Sequence, residues 1–315
     1  MESDIISKFD VLILDECQDT SYLVQNLFNN AKCNQKLALG DNNQSIMEWN
    51  GSINAIKNIN GTQYKLSQSH RIGQDSATIC NHLYNDYSDE DSFYISGANY
   101  SQKVYPRSHL LPQDFDKCAV LRRTNATVLA NAIECAKNGK WLYFLGGIDG
   151  YKLDFYVSLY YFSRGTKQKG GVFSKFKDYQ DMLEYVEETE DVELLSAIGI
   201  LKRYNSNLPN FVNLIKEMSI KDKSKANVIL STVHKSKGDT LTVPVLLQDD
   251  LIETFHLDAQ LLALDFENAS DFQVEQFYNS SREELNLLYV AITRAKCDLY
   301  LNKDLTNYCK RKGIL

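Results

Sequence analysis

Short apolar runs alternate with amphipathic stretches along the chain, in a repeating strand–helix order. Phe9 to Leu14 is β-rich and almost continuously apolar, the pattern of a buried parallel strand, and it runs straight into Asp15 and Glu16. Ser21 to Asn29 predicts a helix, and Lys36 to Leu39 a second short strand ending in Gly40-Asp41. Gln74 to Leu83 predicts another helix, whereas residues 86–116 are polar, aromatic and irregular, an excursion between domains. A second β/α run follows. Ala119 to Leu121 is a strand, Ala126 to Lys137 a helix stopped by Asn138-Gly139, and Trp141 to Leu145 a strand ended by Gly146-Gly147. From about 151 to 225 the pattern is mostly helical, with an acidic cluster from Glu184 to Glu193, and reads as an insertion. Strand character returns at Val228 to Val233 and at Val243 to Leu247, where Pro244 marks the second run as edge-like. Glu283 to Ala291 is an amphipathic helix, and Asp298 to Leu301 the last strand. Strands alternating with helices predict parallel α/β sheets.

Composition narrows the class. At 315 residues the chain has the length of about two domains. With 43% hydrophobic and 24% charged residues it is no disordered chain, collagen or disulfide miniprotein. A net charge of -7 excludes a histone-like wrapper of nucleic acid and leaves room for a local basic groove. The seven cysteines are scattered without a C-x-x-C pair, which fits reduced thiols in a cytosol. No apolar run reaches the ~18 residues of a membrane span. The first residues, MESDIISKFD, lack the layout of a signal peptide. These features predict a soluble protein of the cytoplasm, or of the nucleus in a eukaryote.

Five stretches carry chemistry. Asp15-Glu16-Cys17-Gln18-Asp19 sets adjacent carboxylates at a strand end, where they bind a cation and orient water, or form an ordinary acidic turn. In Leu39 to Trp49, Gln44 is a neutral group able to sense a phosphate. Trp49 is a stacking face for a base or a plain core aromatic. Ser69-His70-Arg71 offers a guanidinium fork for phosphate and an imidazole for a purine, or a surface ion pair. Ser231 to Gly238 combines hydroxyls, His234, two lysines and a glycine, suited to a phosphate backbone or to a solvated loop. In Asn286 to Lys296, Arg294 follows an amphipathic helix, either as an arginine finger or as a cation on the helix dipole.

Taken together and in this order, the five resemble the motifs of superfamily 1 UvrD/Rep-type DNA helicases. DECQD is similar to their motif II, LGDNNQSIMEW to motif III, LSQSHR to motif IV, STVHKSKG to motif V and NLLYVAITRAK to motif VI. Leu121 to Ala126, with Phe144 to Gly147, resembles the F-box DNA helicase branch. The resemblance implies two RecA-like α/β domains with ATP and Mg²⁺ between them and single-stranded DNA moved 3′ to 5′, in repair or recombination. Asp15 would bind Mg²⁺ and Glu16 activate water. Gln44 would contact the γ-phosphate, and Arg71 and Arg294 would reach it. His70 would stand where the family stacks on adenine, and Gly238 beside the nucleotide. Trp49, Thr232 and His234 would lie at the DNA. The implied domains are residues 1–66 as the C-terminal part of the first RecA-like domain and 67–150 as the first part of the second. A reduced helical insertion follows at 151–225, and 226–315 completes the second domain.

The sequence departs from that pattern in two places. It contains no G-x-x-x-x-G-K-[ST] loop, the backbone cradle for nucleotide phosphates. Only a short lead-in precedes Asp15. The chain therefore reads as the C-terminal portion of such a helicase, its phosphate loop expected on a missing N-terminal half or partner subunit. The alternative is a non-hydrolysing DNA-binding or partner module. After Gly238, Asp239-Thr240 replace the family's apolar residue and glutamate.

Overall fold

The structure is a computed structural model that describes residues 9–47, 52–88, 93–106, 109–167, 170–189, 191–251 and 269–315. In chain order the first elements are β1 (Val11–Leu14), α1 (Tyr22–Asn30), β2 (Gln35–Ala38), β3 (Gln68–Gly73), α2 (Gln74–Tyr87), β4 (Ser96–Ala98) and β5 (Val104–Tyr105). Next come β6 (Cys118–Arg122), α3 (Asn125–Lys137), β7 (Leu142–Phe144), α4 (Leu153–Ser163), α5 (Tyr179–Thr189), α6 (Val192–Tyr204) and α7 (Leu208–Met218). The last are β8 (Val228–Thr232), α8 (Val233–Ser236), β9 (Val245–Leu247), α9 (Asp271–Thr293), β10 (Leu299–Tyr300) and α10 (Lys303–Arg311). The fold is α/β with parallel sheets, as expected for RecA-like domains.

The chain divides into two compact units, the first from residues 1–102 and 254–294, the second from 103–253 and 295–313. In the first unit β1 and β2 pair in parallel, Val11 opposite Gln35 through Leu14 opposite Ala38. The pairing continues past both strands, since Leu39 N–H donates to Leu14 O (2.8 Å) and Cys17 N–H to Leu39 O (2.9 Å). The sequence predicts β1 as a buried strand; instead Val11 and Ile13 are 45% and 57% exposed. The two share a face with Leu37, and that face of the two-stranded sheet has no covering layer among the described residues. β3 and β4 form a second parallel pair; β4 falls inside the stretch 86–116 that the sequence pattern leaves irregular, and β3 just before α2. α2 packs on β4 and against α9.

The second unit is built on one parallel sheet in the order β5-β10-β9-β6-β8-β7. The central strands β6 and β8 are buried almost throughout, which accounts for their continuous apolar runs. β9 is not the edge strand that Pro244 predicts; it lies between β10 and β6. Pro244 precedes its first residue, so no ladder N–H is lost, and the proline carbonyl accepts from Ala119 N–H (2.8 Å). Helices α4, α6 and α7 share one continuous apolar core with α3 and the sheet, through Leu159, Ala197, Val212, Ile133, Val120 and Leu230. Among the described residues no helix is long and apolar enough to cross a membrane.

Candidate functional site

In the first unit the candidate site grows from the ends of β1 and β2. Glu16 turns the chain in the left-handed region (φ 50°), and its N–H donates to Asp15 Oδ1 (3.0 Å). Both carboxylates lie on the surface. Beneath them Gln18 is fully buried with both ends of its amide engaged: Nε2 donates to Glu16 Oε2, and Oε1 accepts from Asp41 N–H (3.1 Å). Gln18 therefore orients the Glu16 carboxylate and locks it to the turn after β2. Gly40 allows this approach, since a Cβ there would stand 2.5 Å from Gln18 Oε1 and 2.8 Å from Ile56 Cδ1.

That turn, Asn42–Gln44, is a single 3₁₀ turn capped by Asp41. Asp41 Oδ1 accepts from Asn43 N–H (3.0 Å) and Oδ2 from the Gln44 side-chain amide (2.9 Å). Ser45 and Ile46 are buried behind it. α9 closes over the turn from the other side. The buried Asn286 amide donates to Ser45 O (2.9 Å) and Asn42 O (3.4 Å) and accepts from Tyr84 Oη (2.8 Å). One turn further on, the Tyr289 hydroxyl faces the Asp41 carboxylate; burial and then the Asp41 charge hold this phenol far above its ordinary range. Tyr84, Phe93 and Tyr289 pack as a ring cluster, Tyr84 stacked on Phe93 with centroids 4.1 Å apart.

Arg294, just past α9, is fully buried and folded onto its own helix end. Its Nε donates to Val290 O (2.9 Å) and Nη2 to Thr293 Oγ1 (3.0 Å), the helix-terminal arrangement that the macrodipole favours. His70 and Arg71 lie on β3, His70 exposed and Arg71 half-buried, with the Arg71 carbonyl accepting from the Tyr100 hydroxyl. Asp15, Glu16 and Gln44 are thus gathered around Gln18 and Asp41, and α9, which ends at Arg294, braces that cluster. Trp49 lies outside the described residues.

Mg²⁺ takes hard oxygen donors and is commonly held by one or two carboxylates, with water and phosphate completing its shell. Exposed Asp15 beside Glu16 fits that chemistry. Among the described residues no group of three or more His, Cys, Asp or Glu gathers as a metal cage.

The second unit carries its own polar cluster where β6, β7 and β8 end. Thr232 is buried and caps α8, its Oγ1 accepting from Lys235 N–H (3.3 Å). Burial, then the charges of Arg123 and Lys237, pull the His234 imidazole down to about 4, so it is neutral at pH 7. Positive charge at this end comes instead from Arg123 and Lys237. Lys235 points inward, over the Tyr151 ring at 3.7 Å from its centroid, and donates to Asn125 Oδ1 (3.1 Å) and to Gly150 O. Burial, then Lys152, lowers its ammonium to about 8. Gly238 ends the segment at φ 84°, a left-handed conformation that suits glycine. Gln18, Asp41 and Asn286 have no assigned role in the sequence reading, and Lys235, read there as one of two phosphate-binding lysines, is held by Asn125 and Gly150 instead. A signal exists for Asn286, a polar residue among Leu285, Leu287 and Leu288 three positions before Tyr289.

Comparison with known families agrees with the motif order. Residues 1–66 match the "UvrD/REP helicase N-terminal domain" and residues 163–305 the "UvrD-like helicase C-terminal domain". The chain belongs to the UvrD/Rep-type superfamily 1 helicase family. Within that family it is similar to F-box DNA helicase 1 of Gallus gallus, 23% identical over 98% of this chain and 30% of the relative. It is also similar to F-box DNA helicase protein 1 of Schizosaccharomyces pombe, 26% identical over 99% of this chain and 36% of the relative. The chain thus spans about a third of the length of these curated relatives.

Proposed function

We propose that this chain is the C-terminal portion of an ATP-dependent DNA helicase that couples ATP hydrolysis to 3′–5′ movement on single-stranded DNA, in repair or recombination. The observation that carries the proposal is the Gln18–Asp41 junction, which joins the strand-end carboxylates to the Gln44 turn. Asp15 would hold Mg²⁺, which supplies charge neutralisation to the phosphates. Glu16, oriented by Gln18, takes the proton of the attacking water. Gln44 offers its amide to the γ-phosphate once it leaves Asp41. Arg71 forks onto phosphate, His70 stacks on the base, and Gly238 lets backbone approach the nucleotide. Arg294 reaches toward the γ-phosphate from the end of α9. Residues 1–66 would belong to the first RecA-like domain, and 67–150 with 226–315 to the second, with 151–225 as a helical elaboration.

DNA lies along the β6–β8 end of the second unit in this reading. Arg123 and Lys237 supply charge to the phosphates, and His234 acts as a neutral hydrogen-bonding group. Thr232 acts by holding α8 in place. Trp49 stacks on a base. The protein works in the nucleus or cytoplasm.

Because the 315 residues contain no G-x-x-x-x-G-K-[ST], we assign the phosphate loop to sequence outside them. The same observation favours a second reading, a non-hydrolysing DNA-binding or partner module. ATP hydrolysis by the full-length gene product, with and without single-stranded DNA, separates the two. DNA-stimulated turnover that falls at least about 100-fold in Arg294→Ala supports the motor. DNA binding without turnover supports the module.

A further inference from the structure

We propose that Asn286, held by Tyr84, is a positioning residue that sets the Gln44 turn; its kinetic consequence rests on the γ-phosphate reading of Gln44 given above. The Asn286 amide makes three hydrogen bonds, with both N–H groups and the oxygen engaged. Its two N–H groups go to the carbonyls of Ser45 and Asn42, and its oxygen takes the Tyr84 hydroxyl. A flipped amide would aim its oxygen at two carbonyls, so the network admits one orientation. Asn286 is 2% exposed and Tyr84 2%, so losing any partner leaves a buried polar group unsatisfied. The Asn42 carbonyl is also the acceptor for Ser45 N–H (3.3 Å), which closes the 3₁₀ turn. Asn286 therefore grips the turn at both ends. Tyr289, one helical turn away on the same face, faces the Asp41 side chain that holds the Gln44 amide. A displacement of α9 is thereby delivered to Gln44 through rigid, hydrogen-bonded groups rather than through solvent.

The test uses the full-length protein with Asn286→Leu, which keeps the volume and removes all three bonds. Tyr84→Phe removes one hydroxyl and guards against a misfolded first variant. Amide hydrogen exchange at Gln44 and Ser45 is the primary readout, with the β8 amides as the internal control. Exchange at least tenfold faster at the turn, with β8 unchanged and the double variant no worse than Asn286→Leu alone, is the expected result. Exchange at the turn equal to wild type in both variants would overturn the proposal. Steady-state kinetics then separate the two claims. A fall in kcat with the KM for ATP within about twofold supports both. A loosened turn in a protein with normal kcat leaves Asn286 as the positioning residue and removes Gln44 from the chemistry.

Discussion

His234 shows how burial changes what a residue contributes. In the sequence it looks like part of a cationic phosphate-binding loop; in the fold it is held neutral by burial and by Arg123 and Lys237, titrating at about 4 against an ordinary 6.5. Between those values the unfolded chain carries a proton that the folded chain refuses. The associated stability is therefore full above about pH 6.5, is lost as pH falls toward 4, and changes no further below that. Thermal melts of wild type and His234→Gln from pH 7.5 to 4.5 should show the variant with the shallower pH dependence; parallel curves would contradict this assignment. Gly40 is the second case. Adding a methyl group between Gln18, Ile56 and Cys17 should cost ~1–3 kcal/mol in urea unfolding of Gly40→Ala, and a neutral substitution would mean that the junction yields easily.

At the scale of elements, the candidate functional residues gather where parallel strands end. β1 and β2 deliver Glu16 and Gln44 to one junction, and β6 and β8 deliver Arg123 and the His234–Lys237 segment to another. If Arg123 and Lys237 each meet one phosphate of single-stranded DNA, Arg123→Gln or Lys237→Gln should reduce the slope of log affinity against log salt by ~0.7. An unchanged slope would move the DNA elsewhere. Strand and helix positions were largely legible in the sequence because β6, β8 and α3 are continuous or periodic in their apolar residues. β3, β4 and β5 were not, since short strands at polar stretches carry no such signal. β9 was misplaced at an edge because Pro244 was counted inside the strand rather than before it. At the site, the motif residues were legible and their supports were not. Nothing local in the sequence says that Asn286 meets a carbonyl more than 240 residues away.

For the molecule as a whole, the helices of 151–225 are part of the second unit's core rather than an appendage with a core of its own. Leu159→Ala should destabilise that unit by ~2–5 kcal/mol. The β8 amides should lose protection together with the helices. Helices that melt while β8 stays protected would contradict the shared core. The family follows from matches over both ends of the chain and the α/β fold from its parallel sheets, while the motor activity is the function proposed for the full-length protein. Its most direct test is single-stranded-DNA-stimulated ATP hydrolysis by that full-length protein, wild type against Glu16→Gln. If Glu16 takes the proton of the attacking water, Glu16→Gln should lose ~100-fold or more in kcat with DNA affinity retained. Turnover by Glu16→Gln equal to wild type would contradict it.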